Sequence, residues 1–446
     1  MTNSGINIPH ITGFSKLNRH QRIELLHGLV EQGDLKGWLD AWLHPDAEQQ
    51  ANFERFIENF ITTFHIPMGV VPNMLINGKY YLVPMVIEES SVVAAASKAA
   101  KFWSAHGGFK TEILGTERKG QIHFIWSGTH DYLKKRFPDI RDKMLLATRA
   151  HTVNMIRRGG GITKVKLVKK TREIPGYYQV DVSFETANAM GANFINSCLE
   201  DMAMVLKQEL SNAEDPGTAE IIMSILSNYT PGSLVQCSVE CDIQDLEKVS
   251  GSMSPYIFAK KFELANRIAI ADVSRAVTHN KGIYNGVDSV VLATGNDWRA
   301  VKACGHAYTA STGHYRALTD VEINQGRFRY TLTLPLAIGT VGGLTRTHPL
   351  AKFAMEVLGN PDASGLMKIA AAAGLANNFS AVTALITSGI QQGHMKMHLP
   401  NILKQLNATD QEEQAVRDHF TGQPVSFAAV DYYINQLRHP DAGHSE

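Results

Sequence analysis

At 446 residues the chain exceeds what one hydrophobic core ordinarily organises, so two or three domains are expected, and a 44% hydrophobic content is enough to build them. Forty-three basic side chains balance forty-three acidic ones with no basic tail or long charge run, which leaves no electrostatic footprint for nucleic acid as the main partner. The opening MTNSGINIPHITGF lacks the charged start and continuous apolar core of a signal peptide, and no run approaches the roughly eighteen apolar residues of a membrane span. A cytoplasmic protein with no membrane partner is expected.

Residues 18–31 read as an amphipathic helix, with Asn18 as N-cap and Ile23, Leu25, Leu26, Leu29 and Val30 as a broad apolar stripe. A second helix is expected over 51–64, where Phe53, Phe56, Ile57, Phe60, Ile61 and Phe64 recur at helical spacing as core residues. IPMGVVPNMLINGKYYLVPMVI then reads as two strands turning through Asn77-Gly78, a hairpin signal because both residues accept positive φ. The second strand runs into Glu88-Glu89-Ser90-Ser91 and the small-residue helix VVAAASKAAKFW, which Ser90 or Ser91 is placed to cap.

Between about 111 and 228 the texture changes. ILGTERKGQIHFIWSG, KVKLVKK and YYQVDVSFET carry strand patterns, with helices near 131–148 and 191–211, and this more basic α+β block suits an inserted domain. After 229 come the strand SLVQCSVECDI, a helix around 254–275, two glycine-containing turns at Lys281 and Asp297, and a strand pair near 327–340. GTVGGLTRTHP makes a glycine turn, followed by alanine-rich helices at 350–358 and 363–388 and a small helical appendage from about 391. The four cysteines (Cys198, Cys237, Cys241, Cys304) include no C-x-x-C pair, and Cys237 and Cys241 lie too far apart along a strand for an easy disulfide. Reduced structural thiols are expected.

The segment from Thr278 to Arg299 is the most informative. Lys281 falls in the polar sequence His-Asn-Lys-Gly, and Asp297 follows Gly-Asn and opens the helix DWRAVKACGHAY. An ammonium beside a carboxylate in a cleft can hold a developing oxyanion while the acid tunes proton traffic, as a carbonyl reduction requires. Taken alone, the pair is equally well read as an ion pair closing a turn.

Four pieces, in this order and at this spacing, carry a resemblance: EESSVVAAAS at 88–97, THNKG at 278–282, ATGNDWRA at 293–300 and GHMKMH at 393–398. Together they resemble hydroxymethylglutaryl-CoA reductase, specifically its bacterial second class. The resemblance continues through IENFITTF, LINGKYYLVP, NAMGAN at 188–193, ILSN at 225–228 and VGGLTRTHPLA, so it covers nearly the whole chain.

The resemblance implies an α+β architecture: a large mixed α/β CoA-ester-binding domain (1–110 and 229–390), an inserted small α+β dinucleotide-binding domain (111–228; ferredoxin-like, non-Rossmann) and a C-terminal helical flap (391–446). It implies reduction of hydroxymethylglutaryl-CoA to mevalonate and CoA by two hydride transfers, in isoprenoid precursor synthesis. A homodimer or higher closed oligomer, with the active site at the subunit interface, goes with it. Three other readings stay open: NAD-dependent mevalonate oxidation, an oxidoreductase for a different CoA thioester, and a non-catalytic CoA-binding protein on the same scaffold.

Carried over by resemblance, Lys281 holds the substrate carbonyl oxygen, Glu89 donates a proton to the aldehyde oxygen, Asp297 acts beside them, and His394 protonates the departing CoA thiolate. Glu89 stands just before a helix N-terminus near a lysine, which stabilises its charged form; a useful acid needs burial and the like charge of Asp297 to oppose that, so the three are expected to titrate as one coupled group. His394 with His398 offers too few ligands for a metal, and none is expected. Arg275 is expected to meet the hydroxymethylglutaryl carboxylate, with Ser91, Asn285 and Asn377 as polar neighbours and Lys16 reaching CoA phosphate.

No G-x-G-x-x-G follows a strand in the manner of a Rossmann domain. Resemblance assigns the nicotinamide cofactor instead to Gly159, Gly160 and Gly161 and to the turn Asn188, Met190, Gly191, Ala192, Asn193, whose small residues let backbone approach a pyrophosphate at a helix start. Asn188 and Lys164 both stand where NAD-using relatives carry aspartate. Lys164, with Arg157, Arg158 and Lys166 close in sequence, would attract a 2′-phosphate, so NADPH is expected over NADH.

Overall fold

The computed structural model describes residues 10–30, 33–211, 217–387, 399–400, 402–421, 423 and 425–439. Two units make up the chain, Met1–Pro67 and Met68–Glu446. In the first, three short helices are each opened by a side chain that accepts a backbone N–H: α1 (Arg19–His27) by Asn18 in a full capping box with Gln21, α2 (Leu35–Asp40) by Asp34, and α3 (Ala47–Glu54) by Asp46. Ile23, Leu35 and Leu39 form their small core. The helix expected over 51–64 is corrected: α3 stops at Glu54, Asn59 takes positive φ (55°), and Phe56, Ile57 and Phe64 are exposed, Phe64 to 90%, leaving Phe60 as the buried member of that series.

The second unit opens with the antiparallel strands β1 (Met68–Ile76) and β2 (Lys79–Val86), joined as the Asn-Gly signal predicts, with φ of 48° at Asn77 and 85° at Gly78. α4 (Val92–Ser104) packs on β1. Ser91 stands at its N-cap position in the left-handed region (φ 71°), and its hydroxyl donates to the Ser90 carbonyl, so the expected serine cap is not made.

Two four-stranded antiparallel sheets follow. The first takes β3 (Lys110–Ile113), β8 (Leu234–Asp242), β10 (Arg327–Pro335) and β9 (Thr319–Asn324) in that spatial order. Its hairpin lies earlier than the 327–340 pair expected, because Gln325 and Gly326 both adopt positive φ and make the turn there. The second orders β5 (Gly161–Lys169), β6 (Tyr177–Glu185), β4 (Arg118–Trp126) and β7 (Ala219–Ser227). Between β4 and β5 lie α5 (His130–Ala147) and α6 (Arg149–Ile156), and between β6 and β7 lies α7 (Ala192–Ser211), a β-α-β-β-α-β succession. β4 alternates strictly, sending Ile122, Phe124 and Trp126 into a core with Leu133, Ile140, Leu199 and Met202 from α5 and α7. Its opposite face presents Lys119, Gln121 and His123.

The helices α8 (Pro255–Ala271), α9 (Val273–Ala293), α10 (Trp298–Thr309), α11 (Leu344–Thr347), α12 (Pro349–Val357) and α13 (Ala363–Ile386) complete the larger core. α9 and α13 meet backbone to backbone: a Cβ at Gly286 would collide with the Ala373 carbonyl oxygen, and one at Gly374 would lie 2.7 Å from Val287 Cγ2. Contrary to the expectation that no run is apolar enough, α13 has the length and composition of a membrane span, yet 78% of its apolar window is buried inside the fold, as in a core helix. Further on, α14 (Asp410–His419) and α15 (Phe427–Arg438) share a separate cluster with Leu399 and Leu403 and are tied by Arg438 to Glu412 at 2.6 Å. All four cysteines are free and buried, and burial pushes the thiols of Cys198 and Cys241 up to about 12, so they stay protonated at neutral pH.

Candidate active site

Lys281 does not sit on a turn. It lies inside the 21-residue helix α9, opened by Asp272, whose carboxylate accepts the Arg275 N–H at 2.6 Å. Asn-Lys-Gly reads locally as a break, yet Gly282 continues the helix and faces α13, where a Cβ on it would stand 3.4 Å from Asn378 Nδ2, an ordinary contact. Tertiary burial of α9 against α13 outweighs the roughly 1 kcal/mol that glycine costs a helix interior. The lysine therefore projects from a rigid element.

The Lys281 ammonium donates directly to Glu89 Oε2, across 192 residues of sequence. Glu89 occupies the short connection from β2 to α4, and both of these elements pack against α9, so the fold rather than the local sequence sets the meeting. The Lys281 and Glu89 side chains remain 57% and 37% exposed, and a pair this open contributes only about 0–1 kcal/mol to stability. Asn285 stands one helical turn beyond Lys281, on the same face of α9.

Asp297 is the N-cap of α10, as its position after Gly-Asn suggests, and its Oδ1 accepts the N–H groups of Arg299 and Ala300 at 3.1 Å each and Arg299 Nε at 3.3 Å. Within one chain it does not join Lys281. Twelve residues of α9 follow Lys281, about 18 Å at 1.5 Å per residue, and Asp297 lies beyond that end. Among the described residues no hydrogen bond or ion pair links Asp297 to Lys281 or Glu89.

Of the expected substrate contacts, Arg275 is half-buried near the start of α9, and loss of solvent holds its guanidinium below the ordinary value. One turn on, buried His279 is pushed down to about 3 by burial and then by Arg275, and its Nε2 lies 2.6 Å from Thr319 Oγ1. Asn378 is fully engaged, donating to the His279 carbonyl at 2.7 Å and accepting from the Tyr330 hydroxyl. Its neighbour Asn377 is 4% exposed, and its Nδ2 has no hydrogen-bond partner among the described residues. A buried amide left unmade costs about 1–3 kcal/mol, so a donor held this way suits a ligand. Lys16 ends the 3₁₀ turn Phe14–Lys16 in the N-terminal unit, and His394 lies outside the described residues.

The expected cofactor residues gather at one end of the second sheet. Gly159 and Gly161 have φ of 85° and 130°, and a Cβ on Gly160 would strike the Glu185 carbonyl oxygen and the Met155 side chain, so these three positions need glycine for conformation and clearance. Gly191 (φ 89°) turns the chain directly into α7, which begins at Ala192 as expected and carries Asn193 in its first turn. Asn188 is a structural anchor as well: its carbonyl accepts the Thr340 N–H at 2.8 Å and its Oδ1 accepts the Ala363 N–H at 3.0 Å, tying this turn to the start of α13, while Met190 beside it is 39% exposed.

Two features here were not legible in the sequence: Lys119 beside the expected Lys164 and Lys166, and a cavity beside Asn188. Strand register places Lys164 and Lys119 on either side of Ser183, and Lys166 next to Asp181, so three lysines share the open sheet face. The Lys166 ammonium is held below its ordinary value by hydrogen bonding and charge from Lys164. Beside Asn188 opens a cavity of about 550 Å³ lined by Thr340, Thr345, Arg346, Lys352 and Asp362, among others. Arg346 lies in the VGGLTRTHPLA stretch and Lys352 in the helix expected over 350–358, and neither was singled out by the sequence as a ligand contact.

The family model described as hydroxymethylglutaryl-coenzyme A reductase matches residues 20–399. A 3-hydroxy-3-methylglutaryl-coenzyme A reductase from Archaeoglobus fulgidus is 36% identical over 415 residues, 91% of this chain and 89% of its own length. A probable one from Borreliella burgdorferi is 31% identical over 404 residues, 89% of each chain. Among solved structures, the class II 3-hydroxy-3-methylglutaryl-CoA reductase from Streptococcus pneumoniae, bound to NADPH in open conformations, aligns at TM-score 0.69 with 33% identity, covering 85% of this chain and 100% of that one.

Proposed function

The chain belongs to the hydroxymethylglutaryl-coenzyme A reductase family, and from that membership we propose that it reduces hydroxymethylglutaryl-CoA to mevalonate and CoA with NADPH. The observation that carries the reading is the direct Lys281–Glu89 contact, built by α9, β2 and the start of α4 from residues far apart in sequence. A carbonyl oxygen seated on the Lys281 ammonium lies within reach of the Glu89 carboxyl. There the cation stabilises negative charge as it develops on the thioester oxygen, and again on the aldehyde oxygen, which takes its proton from Glu89.

NADPH, when bound, supplies hydride. A polyanionic dinucleotide fits the residues present: Gly159 and Gly161 take positive φ, Gly160 and Gly191 stand where a Cβ would collide, α7 begins beside them with its N-terminal N–H groups, and Lys164 with Lys119 and Lys166 offers positive charge for a 2′-phosphate. Arg346 and Lys352, in the cavity beside Asn188, are further candidates for its phosphates. On this reading the β-α-β-β-α-β block within 111–228 is a ferredoxin-like cofactor domain, and the elements around α4, α9 and α13 hold the CoA ester.

Asn377, with its unmatched buried donor, and Arg275 are suited to the polar end of the acyl group, with Ser91 and Asn285 nearby on the elements that carry Glu89 and Lys281. His394 serves as proton donor to the departing thiolate, a role for an imidazole titrating near neutrality. Because α9 carries Asp297 away from Lys281, Asp297 joins the site from a second copy of the chain, which makes a closed dimer the smallest complete unit. The deciding experiment is steady-state turnover on hydroxymethylglutaryl-CoA with NADPH, scored for coenzyme released. Two oxidations per CoA support this reading; one per CoA, or binding of the ester without turnover, overturns it. In the same assay His394→Ala is expected to spare reduction of free mevaldehyde, and equal loss on both substrates removes the thiolate role.

A further inference from the structure

A cavity of about 650 Å³ outside the site described above lies at the C-terminal end of α13, bounded by α4, α8 and the loop after β8. Ten residues of α13, about 15 Å, separate Asn377 from Thr387 at the cavity's edge. Its charged lining is of one sign: Lys98, Lys248 and Lys261 contribute, and no carboxylate is among the described residues that line it. Lys98 and Lys248 make no ion pair among the described residues, although this chain is otherwise rich in them. Lys261, which lines the cavity, donates to the Ile386 carbonyl at 2.8 Å and closes the end of α13.

A second observation is independent of the lysines. Thr383 lines the same cavity, is only 5% exposed, and its Oγ1 has no hydrogen-bond partner among the described residues. Threonine in a helix ordinarily satisfies its hydroxyl on the carbonyl one turn back, as Thr387 does on Thr383 itself at 2.7 Å. An orphan hydroxyl on a cavity wall is a donor awaiting an acceptor. Phe102 and Phe379, stacked with centroids 5.8 Å apart, add an apolar wall. A ligand that satisfies all of this carries concentrated negative charge, oxygen acceptors and an apolar or aromatic body.

We propose that the Lys98–Lys248–Lys261 cavity, with the Thr383 hydroxyl on its wall, is a binding site for a phosphate ester. Two sources share that chemistry: the phosphorylated end of a CoA ester, an assignment that rests on the reductase reading, and a separate phosphorylated effector. The ammonium groups meet the phosphate as point charges and Thr383 Oγ1 donates to one of its oxygens.

The test is calorimetric titration of the full chain with adenosine 3′,5′-bisphosphate and with inorganic pyrophosphate. Both bind the wild type, more weakly as salt rises. Lys98→Glu and Lys248→Glu, solvent-facing changes that spare the core, each weaken binding about tenfold or more. Thr383→Val weakens it by about tenfold while leaving Tm unchanged or higher, because the hydroxyl removed has no partner to lose; that opposition separates a ligand role from a structural one. A raised KM for hydroxymethylglutaryl-CoA in Lys248→Glu, at unchanged kcat, assigns the site to the substrate. An unchanged KM with lost probe binding assigns it to an effector. Absence of binding to the wild type, or binding undiminished in all three variants, overturns the proposal, and neither outcome bears on whether the wild type turns over.

Discussion

Removing the Lys281 ammonium separates its two roles, because one is cheap and the other is not. In the resting chain Lys281 and Glu89 are 57% and 37% exposed, so solvent screens their attraction and Lys281→Ala loses about 0–1 kcal/mol of stability. Position 281 is on the outer stripe of α9, while the helix is held by its buried face against α13, and alanine is the better helix former. The melting temperature should stay close to wild type. In the transition state the same group faces a full developing charge, where loss of one preorganised donor costs about 10²–10³ in kcat, roughly 3–4 kcal/mol, and loss of a cation at least that. Because the contact strengthens only as charge develops, kcat and kcat/KM fall together. The assay is NADPH oxidation at 340 nm as a function of hydroxymethylglutaryl-CoA, with thermal unfolding of the same preparation. A kcat within about tenfold of wild type, or activity lost in step with the folded fraction, refutes the reasoning.

Gly286→Ala places a methyl against the Ala373 carbonyl at the α9–α13 crossing, and backbone on both sides leaves little relief; about 1–3 kcal/mol of destabilisation by urea unfolding is expected, and a neutral result means the helices separate more easily than their packing implies. Asp288, 2.5 Å from Lys302 with its side chain 17% exposed, is pushed up by burial to about 6 despite that lysine. A carboxyl raised in the folded state makes its contribution below the unfolded value near 4 and loses it as pH climbs toward 6, up to roughly 3 kcal/mol. The stability difference between wild type and Asp288→Asn should therefore shift against wild type from pH 4 to 6 and then flatten; a difference independent of pH contradicts the raised value. Lys164→Asp should raise KM for NADPH far more than for NADH, and an unchanged preference between the two removes Lys164 from the 2′-phosphate. Co-assembled Lys281→Ala and Asp297→Ala chains, each inactive alone, should regain about a quarter of wild-type activity if one site draws on two copies, whereas no recovery argues that both groups serve from the same chain.

Local rules made much of this fold legible. Asn18 as an N-cap, the Asn77-Gly78 turn, Asp297 at the head of α10 and the strand patterns of β4 and β8 each depend on neighbours within a few residues, and all four appear as the sequence indicates. The same reasoning failed where packing at long range decides. His-Asn-Lys-Gly has the chemistry of a turn, yet α13 supplies a surface on which it is more stable as helix; the aromatic series after Glu54 has the spacing of a helix but no surface that buries it. Motif order alone singled out Glu89, Lys281 and Asp297 as partners. That the first two touch, that the third is carried away along α9, and that Lys119 comes beside Lys164 depend on strand register and helix crossings. Side-chain type and short spacing specify conformation over about one turn, whereas these meetings depend on which apolar faces close against one another, and only the packed chain holds that information.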